Sequence, residues 1–323
     1  MRKMLIVIDR IEFKYFEFNK LVTNFWMVKG LLENNIETYI TTIDYLSLRD
    51  GKGCAKCFQT YKKDDDIFYE KEPKNFILES FEKIFFRPDP PVDSDYINAT
   101  YIFDFVDRTK TQIINDTKAI RDFNEKLHAN YFREFMPENI VTASKDDIEE
   151  FLNIHDEIIL KPLNNCFGSG VMYLKNGDKN TLSIIKTLTN NFKSVCMVQK
   201  YIPDVQYGDK RVIILNGEVL DECVLKIPTK DDFKFNTHSD EYLKKAVLNK
   251  NEKEKFQKVA VCLKNLGITM AGLDVVDEKI LEINVTSPCF FIKEINERFS
   301  TRIDKKLNEF MLETSVKATN AVI

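Results

Sequence analysis

Glycine is scarce in this chain, 10 of 323 residues, less than half the usual share of roughly 7%. That excludes collagen-like and low-complexity architectures. It also makes each glycine informative, because those present mark positions where the backbone needs them. Basic residues are in no surplus: 47 Lys and Arg stand against 51 Asp and Glu, a formal charge of −4, which leaves no electrostatic footprint for gripping nucleic acid. Long apolar runs are missing too. No stretch approaches the ~18 residues of a membrane span, and the amino end offers only Leu5 to Ile8 before Asp9 and Arg10, too little for a secretory leader. The expectation is a cytoplasmic protein that engages neither membrane nor nucleic acid. Cysteines number seven, an odd count dispersed except for Cys54 and Cys57, as suits free thiols in a reducing compartment. A zinc site at Cys54-Ala-Lys-Cys57 would need a second ligand pair, and the nearest histidine is His128. These two cysteines are read as structural.

Hydrophobic residues make up 44% of the chain and charged residues 30%, enough for a buried core and two or three domains. Met4 to Ile8 reads as a strand, Lys20 to Glu33 as a helix and Ile36 to Thr42 as a second strand, the opening of a parallel α/β domain. Residues 47–75 are polar and read as loops or an edge hairpin. A strand at Ile84 to Phe86 stops at Arg87-Pro88-Asp89-Pro90-Pro91. A helix from Ser94 to Asp107 and a strand at Gln112 to Asn115 complete a first domain, 1–120. A second unit, 121–202, opens with a helix from Thr117 to Glu134. It continues with strands at Ile140 to Ala143, Ile158 to Leu160, Val171 to Leu174 and Val195 to Val198, and Ser144 caps a helix. The third, 203–323, holds a hairpin turning at Asn216-Gly217 and a long polar loop from Thr229 to Lys245, of the kind that is mobile or functional.

The sharpest local pattern is Leu273-Asp274-Val275-Val276-Asp277-Glu278-Lys279-Ile280-Leu281-Glu282-Ile283-Asn284. Folded as a hairpin with a three-residue loop, Asp277 to Lys279, it pairs 276 with 280, 275 with 281 and 274 with 282. Asp274 then faces Glu282, Asn284 shares their face, and Leu273, Val275, Leu281 and Ile283 point to the core. Opposed carboxylates repel unless a cation lies between them. Two carboxylates and an amide oxygen suit Mg²⁺, which prefers a few such ligands together with phosphate oxygens and water. A solvated polar face on an amphipathic hairpin would have the same pattern.

So few protein ligands point to a phosphate-bearing partner. Lys161 follows the apolar strand Ile158-Ile159-Leu160, where an ammonium meets phosphate as a point charge, and Lys126 falls in the helical segment 124–127. Either lysine alone would pass for a surface charge. Asn164 to Gly170 adds a glycine-bearing turn whose N–H groups are able to cradle anionic oxygen. Neither G-x-x-x-x-G-K-[ST] nor a G-x-G-x-x-G after the first strand is present. Arg87, at the carboxyl end of a strand, lies where open α/β sheets bind ligands, and is read as a peptide-carboxylate partner in preference to a mere cap on the strand end.

Taken in order over nearly the whole chain, these pieces resemble the prokaryotic-type glutathione synthetases of the ATP-grasp superfamily. The likeness rests on Arg87 to Pro91, Ala99 to Ile102, Arg121 to Leu127 and Ile158 to Leu163. It continues through Gln199 to Pro203, Gly208 to Val212, Gly272-Leu273-Asp274 and Glu282 to Pro288. It implies an α/β and α+β protein, an ATP-grasp fold behind an N-terminal parallel α/β domain. The implied activity is ligation of γ-glutamylcysteine to glycine, with ATP and Mg²⁺ or Mn²⁺, through an acyl phosphate. By resemblance Lys126 and Lys161 hold ATP phosphates, Gly168 and Gly170 belong to the phosphate-facing loop, and Gln199, Lys200, Tyr201 and Ile202 form the adenine hinge. Asp209 lies near the nucleotide, while Arg211 and Lys161 act in catalysis. Asp274, Glu282 and Asn284 bind metal; Arg87, Arg211, Asn236 and Ser287 meet the small peptide and amino-acid substrates. Relatives of this kind imply a homodimer or homotetramer.

The chain departs from that pattern in its acceptor half. After Ile227-Pro228, where the family carries a glycine-rich stretch with arginines, it reads Thr229 to Ser239, and only Asn236 and Lys234 keep the character of that stretch. Lysine lacks the bidentate fork of arginine. Cys166 and Phe167 thicken the glycine loop, and Trp26, the one tryptophan, stands where small side chains are usual. His238 is read as a loop residue and Cys289 as packing. Two alternatives remain: the same chemistry on a different amino acid or peptide, and a nucleotide-binding protein without turnover. Alanine at Asp274 or Glu282 is expected to abolish ligation and leave the fold largely intact.

Overall fold

The computed structural model describes residues 2–15, 20–166, 168–230, 240–299 and 302–313. The chain opens with β1 (Lys3–Val7), α1 (Arg10–Tyr15), α2 (Thr23–Glu33) and β2 (Glu37–Thr41). Met4 to Val7 are fully buried, as expected of a parallel strand covered on both faces. Next come β3 (Leu46–Arg49), β4 (Lys52–Lys63), β5 (Asp66–Tyr69), β6 (Lys74–Ile77), β7 (Lys83–Phe86), α3 (Ser94–Ile102) and β8 (Gln112–Ile114). Strands β2, β1, β7 and β8 pair in parallel; β4 adds to β2 in antiparallel.

Of the two readings for residues 47–75, loops or an edge hairpin, the hairpin is present as β4 and β5, and β3 and β6 are strands as well. The long strand β4 pairs with β2, β3, β5 and β6 along its length, and in its first half Lys52 and Lys56 are exposed on one face while Gly53, Ala55 and Cys57 are buried on the other. Cys54 and Cys57 sit three apart on this strand, on opposite faces, with only Cys57 fully buried.

The second sheet is antiparallel, in the order β11-β10-β12-β9. It is formed after α4 (Thr117–Asp122) by β9 (Asn139–Thr142), α5 (Lys145–His155), β10 (Glu157–Pro162), β11 (Met172–Lys175), α6 (Thr181–Leu188) and β12 (Cys196–Lys200). Ser144 caps α5 by accepting from Asp147 N. The helix expected over 117–134 is broken. Asn124 Oδ1 accepts from the N–H groups of Lys126 and Leu127 at 3.1 and 2.9 Å, the local side-chain competition that disfavours Asn inside helices. Lys126 thus lies in a turn. A separate 3₁₀ segment spans His128–Phe135.

The third sheet runs β16-β15-β13-β17-β18. Its elements are β13 (Asp209–Leu215), β14 (Glu218–Val219), β15 (Glu222–Lys226), β16 (Leu243–Val247), α7 (Lys250–Asn265), β17 (Met270–Val276) and β18 (Lys279–Asn284), followed by α8 (Ile292–Arg298) and α9 (Ile303–Leu312). Asn216 and Gly217 take φ of 51° and 80°, the left-handed pair that a two-residue hairpin requires. The end of the long polar loop is strand β16, and residues 231–239 lie outside those described. Helix α9 returns to pack on α2. The approach is close enough that a Cβ on Gly30 would sit 1.7 Å from Asn308 Oδ1. One apolar cluster accordingly joins Met4, Phe25 and Leu31 to Ile292, Leu307 and Phe310.

Candidate active site

Where the three sheets meet there is a cavity of about 460 Å³. Arg87 reaches it from the end of β7, Lys161 from β10, Gln199 from β12, Asp209 and Arg211 from β13, Asp274 from β17, and Glu282 and Asn284 from β18; Lys126 and Ser287 reach it from turns. Lys200, Tyr201, Ile202 and Gly168 also line it. Gly170 instead packs against the Pro162 ring, at φ 73°, where a Cβ would come within 2.8 Å of Pro162 Cγ. Asn236, Lys234, Phe167 and His238 lie outside the described residues.

Asp274 pairs with Glu282 as expected, but by another route. The turn contains two residues, Asp277 and Glu278, with φ of 46° and 59°, so Val276 pairs with Lys279 and Val275 with Ile280. A bulge then restores the 274 to 282 register. One extra residue changes which face each side chain takes. Ile280 is buried in the core, and Leu281, expected there, lines the cavity beside Val276.

Asp274 is the electrostatic centre. Arg211 grips it with Nε at 2.7 Å and Nη2 at 3.1 Å. Lys226 donates to it at 2.9 Å and reaches Asp209 at 2.5 Å. Burial alone would raise the Asp274 pKa, yet Arg211 and Lys226 together hold it far below the usual carboxylate range. Burial dominates at Asp209 and leaves its pKa raised.

The two lysines differ in environment. Lys161 is buried against the neutral Gln199 Oε1 at 2.8 Å and Leu281 O at 3.5 Å, and burial pulls its pKa down to about 8. Lys126, also buried, lies 3.4 Å from Glu282. That carboxylate, with Glu125, outweighs desolvation and raises its pKa. In the hinge, the Lys200 and Tyr201 N–H groups donate to Glu138 O and Glu157 O. Gln199 Nε2 is buried without a partner among the described residues.

Two carboxylates and a carboxamide offer hard oxygen donors of the kind Mg²⁺ or Mn²⁺ takes, and the Glu282 side chain, 24% exposed, is open to the cavity. The donor set fits such a cation. Among the described residues no group of three or more His, Cys, Asp and Glu side chains converges, here or elsewhere, so the third donor of this set is the Asn284 carboxamide.

Several residues of the site escaped the sequence reading. Lys226 is one, although a lone charge inside the apolar strand Cys223-Val224-Leu225 just before Ile227-Pro228 was a usable signal. Glu125 accepts from Val285 N at 2.7 Å, Thr286 N at 3.0 Å and Thr286 Oγ1 at 3.0 Å, fixing the turn after β18. Glu12, Asn24 and Asp89 line the cavity as well, and nothing in their local spacing marks them.

A cleft between a four-stranded and a six-stranded antiparallel sheet, walled by two lysines and opposed carboxylates, defines an ATP-grasp protein. Similar folds occur in a D-cycloserine synthetase (TM-score 0.66, 11% identity, 95% of this chain and 99% of that one). Another is a Chryseobacterium gregarium RiPP-associated ATP-grasp ligase in complex with ADP and a leader and core peptide (TM-score 0.63, 14% identity, all of both chains). The pattern described as the prokaryotic glutathione synthetase N-terminal domain matches residues 3–121, and that of the ATP-grasp domain matches 125–300. Glutathione synthetase from Vibrio cholerae is 36% identical over 299 residues, covering 92% of this chain and 93% of its own. That from Yersinia pestis is 33% identical over 302 residues, covering 93% of each. The chain belongs to the prokaryotic glutathione synthetase family.

Proposed function

We propose that this chain is an ATP-dependent carboxylate–amine ligase and acts as a glutathione synthase, joining γ-glutamylcysteine to glycine. The observation that carries the reading is one cavity walled by Lys126, Lys161, Arg211, Asp274, Glu282 and Asn284, in a chain of this family. Lys126 and Lys161 hold ATP phosphate oxygens as point charges. Gln199 to Ile202 receive the adenine beside Val276 and Leu281, with the Gln199 carboxamide nitrogen as a donor. Gly168 and Gly170 shape the loop over the phosphates, and Asp209 orients Lys226. Asp274, Glu282 and Asn284 hold Mg²⁺ or Mn²⁺, which neutralises phosphate charge when bound. Arg211 then faces the anion that forms as the donor carboxylate takes the phosphoryl group and again when the amine attacks. Arg87, Ser287 and Asn236 hold the peptide and amino-acid substrates.

The three units are 1–120, 121–202 and 203–323, working as a homodimer or homotetramer in the cytoplasm; among the described residues no helix is long and apolar enough to cross a membrane. The test is ADP release by the purified chain with γ-glutamylcysteine and each amino acid in turn. Glycine as the productive acceptor, with glutathione as product, supports the reading. Productive ligation of only another pair, or nucleotide binding with no stimulated ADP release, overturns it.

A further inference from the structure

At the side of the cavity formed by the first domain, a buried acid has an oxygen left without a partner. Glu12, on α1, is 8% exposed and lines the cavity wall. Its Oε2 accepts from Asn24 Nδ2 at 2.8 Å. Its Oε1 is buried with no hydrogen-bond partner among the described residues. A buried carboxyl oxygen in that state is costly unless something completes it.

The surroundings indicate what completes it. Asn24 is fixed at both ends of its amide, since its Oδ1 accepts from Arg87 Nε at 2.5 Å while its nitrogen serves Glu12. Arg87 Nη2 is directed to Pro288 O at 3.0 Å and Ser287 Oγ at 3.5 Å. The guanidinium is therefore near Glu12 yet aimed elsewhere. Asp9 and Asp89 also act on Glu12 through space, and Glu12 and Asp89 act on Arg87, so carboxyls outnumber the arginine here. Such a pocket favours a cationic donor of hydrogen bonds over an anion.

We infer that Glu12, oriented by Asn24 and backed by Asp89, is a specificity-determining residue that receives the α-ammonium of the carboxylate-donor substrate. This rests on the ligase reading and names which end of the peptide lies at the first domain. The γ-glutamyl head group carries an α-ammonium; the carboxylate to be phosphorylated, at the far end of the dipeptide, then lies toward Arg211 and Asp274. Glycine's nitrogen has to be neutral to attack, which makes an acidic, buried pocket the wrong place for it.

Calorimetric titration of the full chain in the presence of ADP tests this, with γ-glutamylcysteine compared against glutarylcysteine, which lacks only the α-amino group. The wild type is expected to prefer γ-glutamylcysteine at least tenfold. Glu12→Gln, which keeps shape and the Asn24 contact, should shrink that preference to threefold or less with ADP affinity unchanged, and Glu12→Asp should retain part of it. A wild type that binds both dipeptides equally, or binds neither, overturns the assignment. So does a preference that survives intact in Glu12→Gln. Glutathione formation by the wild type is scored separately: a discriminating pocket without turnover sinks the ligase reading alone, and turnover without discrimination sinks the ammonium site alone.

Discussion

Arg87 and Arg211 hold consecutive carbonyl oxygens of one turn, Arg87 through Nη2 to Pro288 O at 3.0 Å and Arg211 through Nη1 to Cys289 O at 2.9 Å. The turn is thereby clamped between the first domain and β13. Arg211 also carries the two-pronged contact to Asp274, a geometry that lysine cannot reproduce. Arg211→Lys is therefore expected to lower kcat by about 100-fold, the scale seen when one donor to a developing anion is lost, while KM for ATP changes less than threefold. Steady-state kinetics decide it, and a kcat within fivefold of wild type would remove Arg211 from the catalytic role.

Asp274 and Glu282 are expected to differ in what they do for the fold. Alanine at either should end ligation, but their contacts lead to different expectations for the fold, largely intact in Glu282→Ala and weakened in Asp274→Ala. Asp274 is contacted by buried Arg211 and Lys226, and removing it leaves two cations without their common counterion. Breaking such a network costs about 3–5 kcal/mol. Glu282 is partly exposed, and the buried Lys126 it pairs with at 3.4 Å keeps Glu125 nearby and its bond to Asn165 O, so its loss should cost less, about 1–2 kcal/mol. Urea unfolding of the two variants separates them; equal midpoints would refute Asp274 as the hub.

Much of this site was legible because the groups it needs sit at strand ends and on hairpin faces, where period-two alternation fixes direction. Asp274 opposite Glu282 is of that kind. Leu281 was placed wrongly because alternation says nothing of a bulge, and Asp277-Glu278 carries no glycine to announce a two-residue left-handed turn. For residues 47–75 the hairpin β4–β5 is one of two sequence readings, and the extra strands β3 and β6 are not anticipated because their many exposed polar residues resemble a loop in composition. Apolar spacing suggests a helix through Lys126, but the Asn124 side chain captures the N–H groups of Lys126 and Leu127. Glu12, Asn24 and Asp89 come together only through tertiary packing, which local pattern does not encode.

Gly170 has a role of its own although it does not line the cavity. At φ 73°, with Pro162 Cγ 2.8 Å from where a Cβ would stand, it lets the loop fold back onto the end of β10, directly after Lys161. Gly170→Ala combines a left-handed penalty of about 1–2 kcal/mol with a contact against a stiff ring. The expected result is a three- to tenfold rise in KM for ATP, because the shifted loop disturbs Pro162 and so Lys161. An unchanged KM would show that the loop's path does not position that lysine.

Glu12 should leave a signature in stability as well as in binding. Burial raises its pKa from an ordinary value near 4.5 to about 8 against the opposing hydrogen bond from Asn24, so between these values the folded chain keeps a proton that the unfolded chain has released. Stability then falls as pH rises across that window, by up to ~1.4 kcal/mol per pH unit for one such group. The contribution is complete below about pH 4.5 and lost above about pH 8. Asp89, pushed up to about 6 chiefly by burial, adds a slope of the same sign at the acidic end. Because Asp89 remains in Glu12→Gln, the difference between wild type and variant isolates Glu12. Unfolding free energies measured at pH 5, 6, 7 and 8 should show the wild type losing ground steadily to the variant. Two parallel curves would mean that Glu12 is already ionised in the folded chain, held by a cation that the cavity itself supplies.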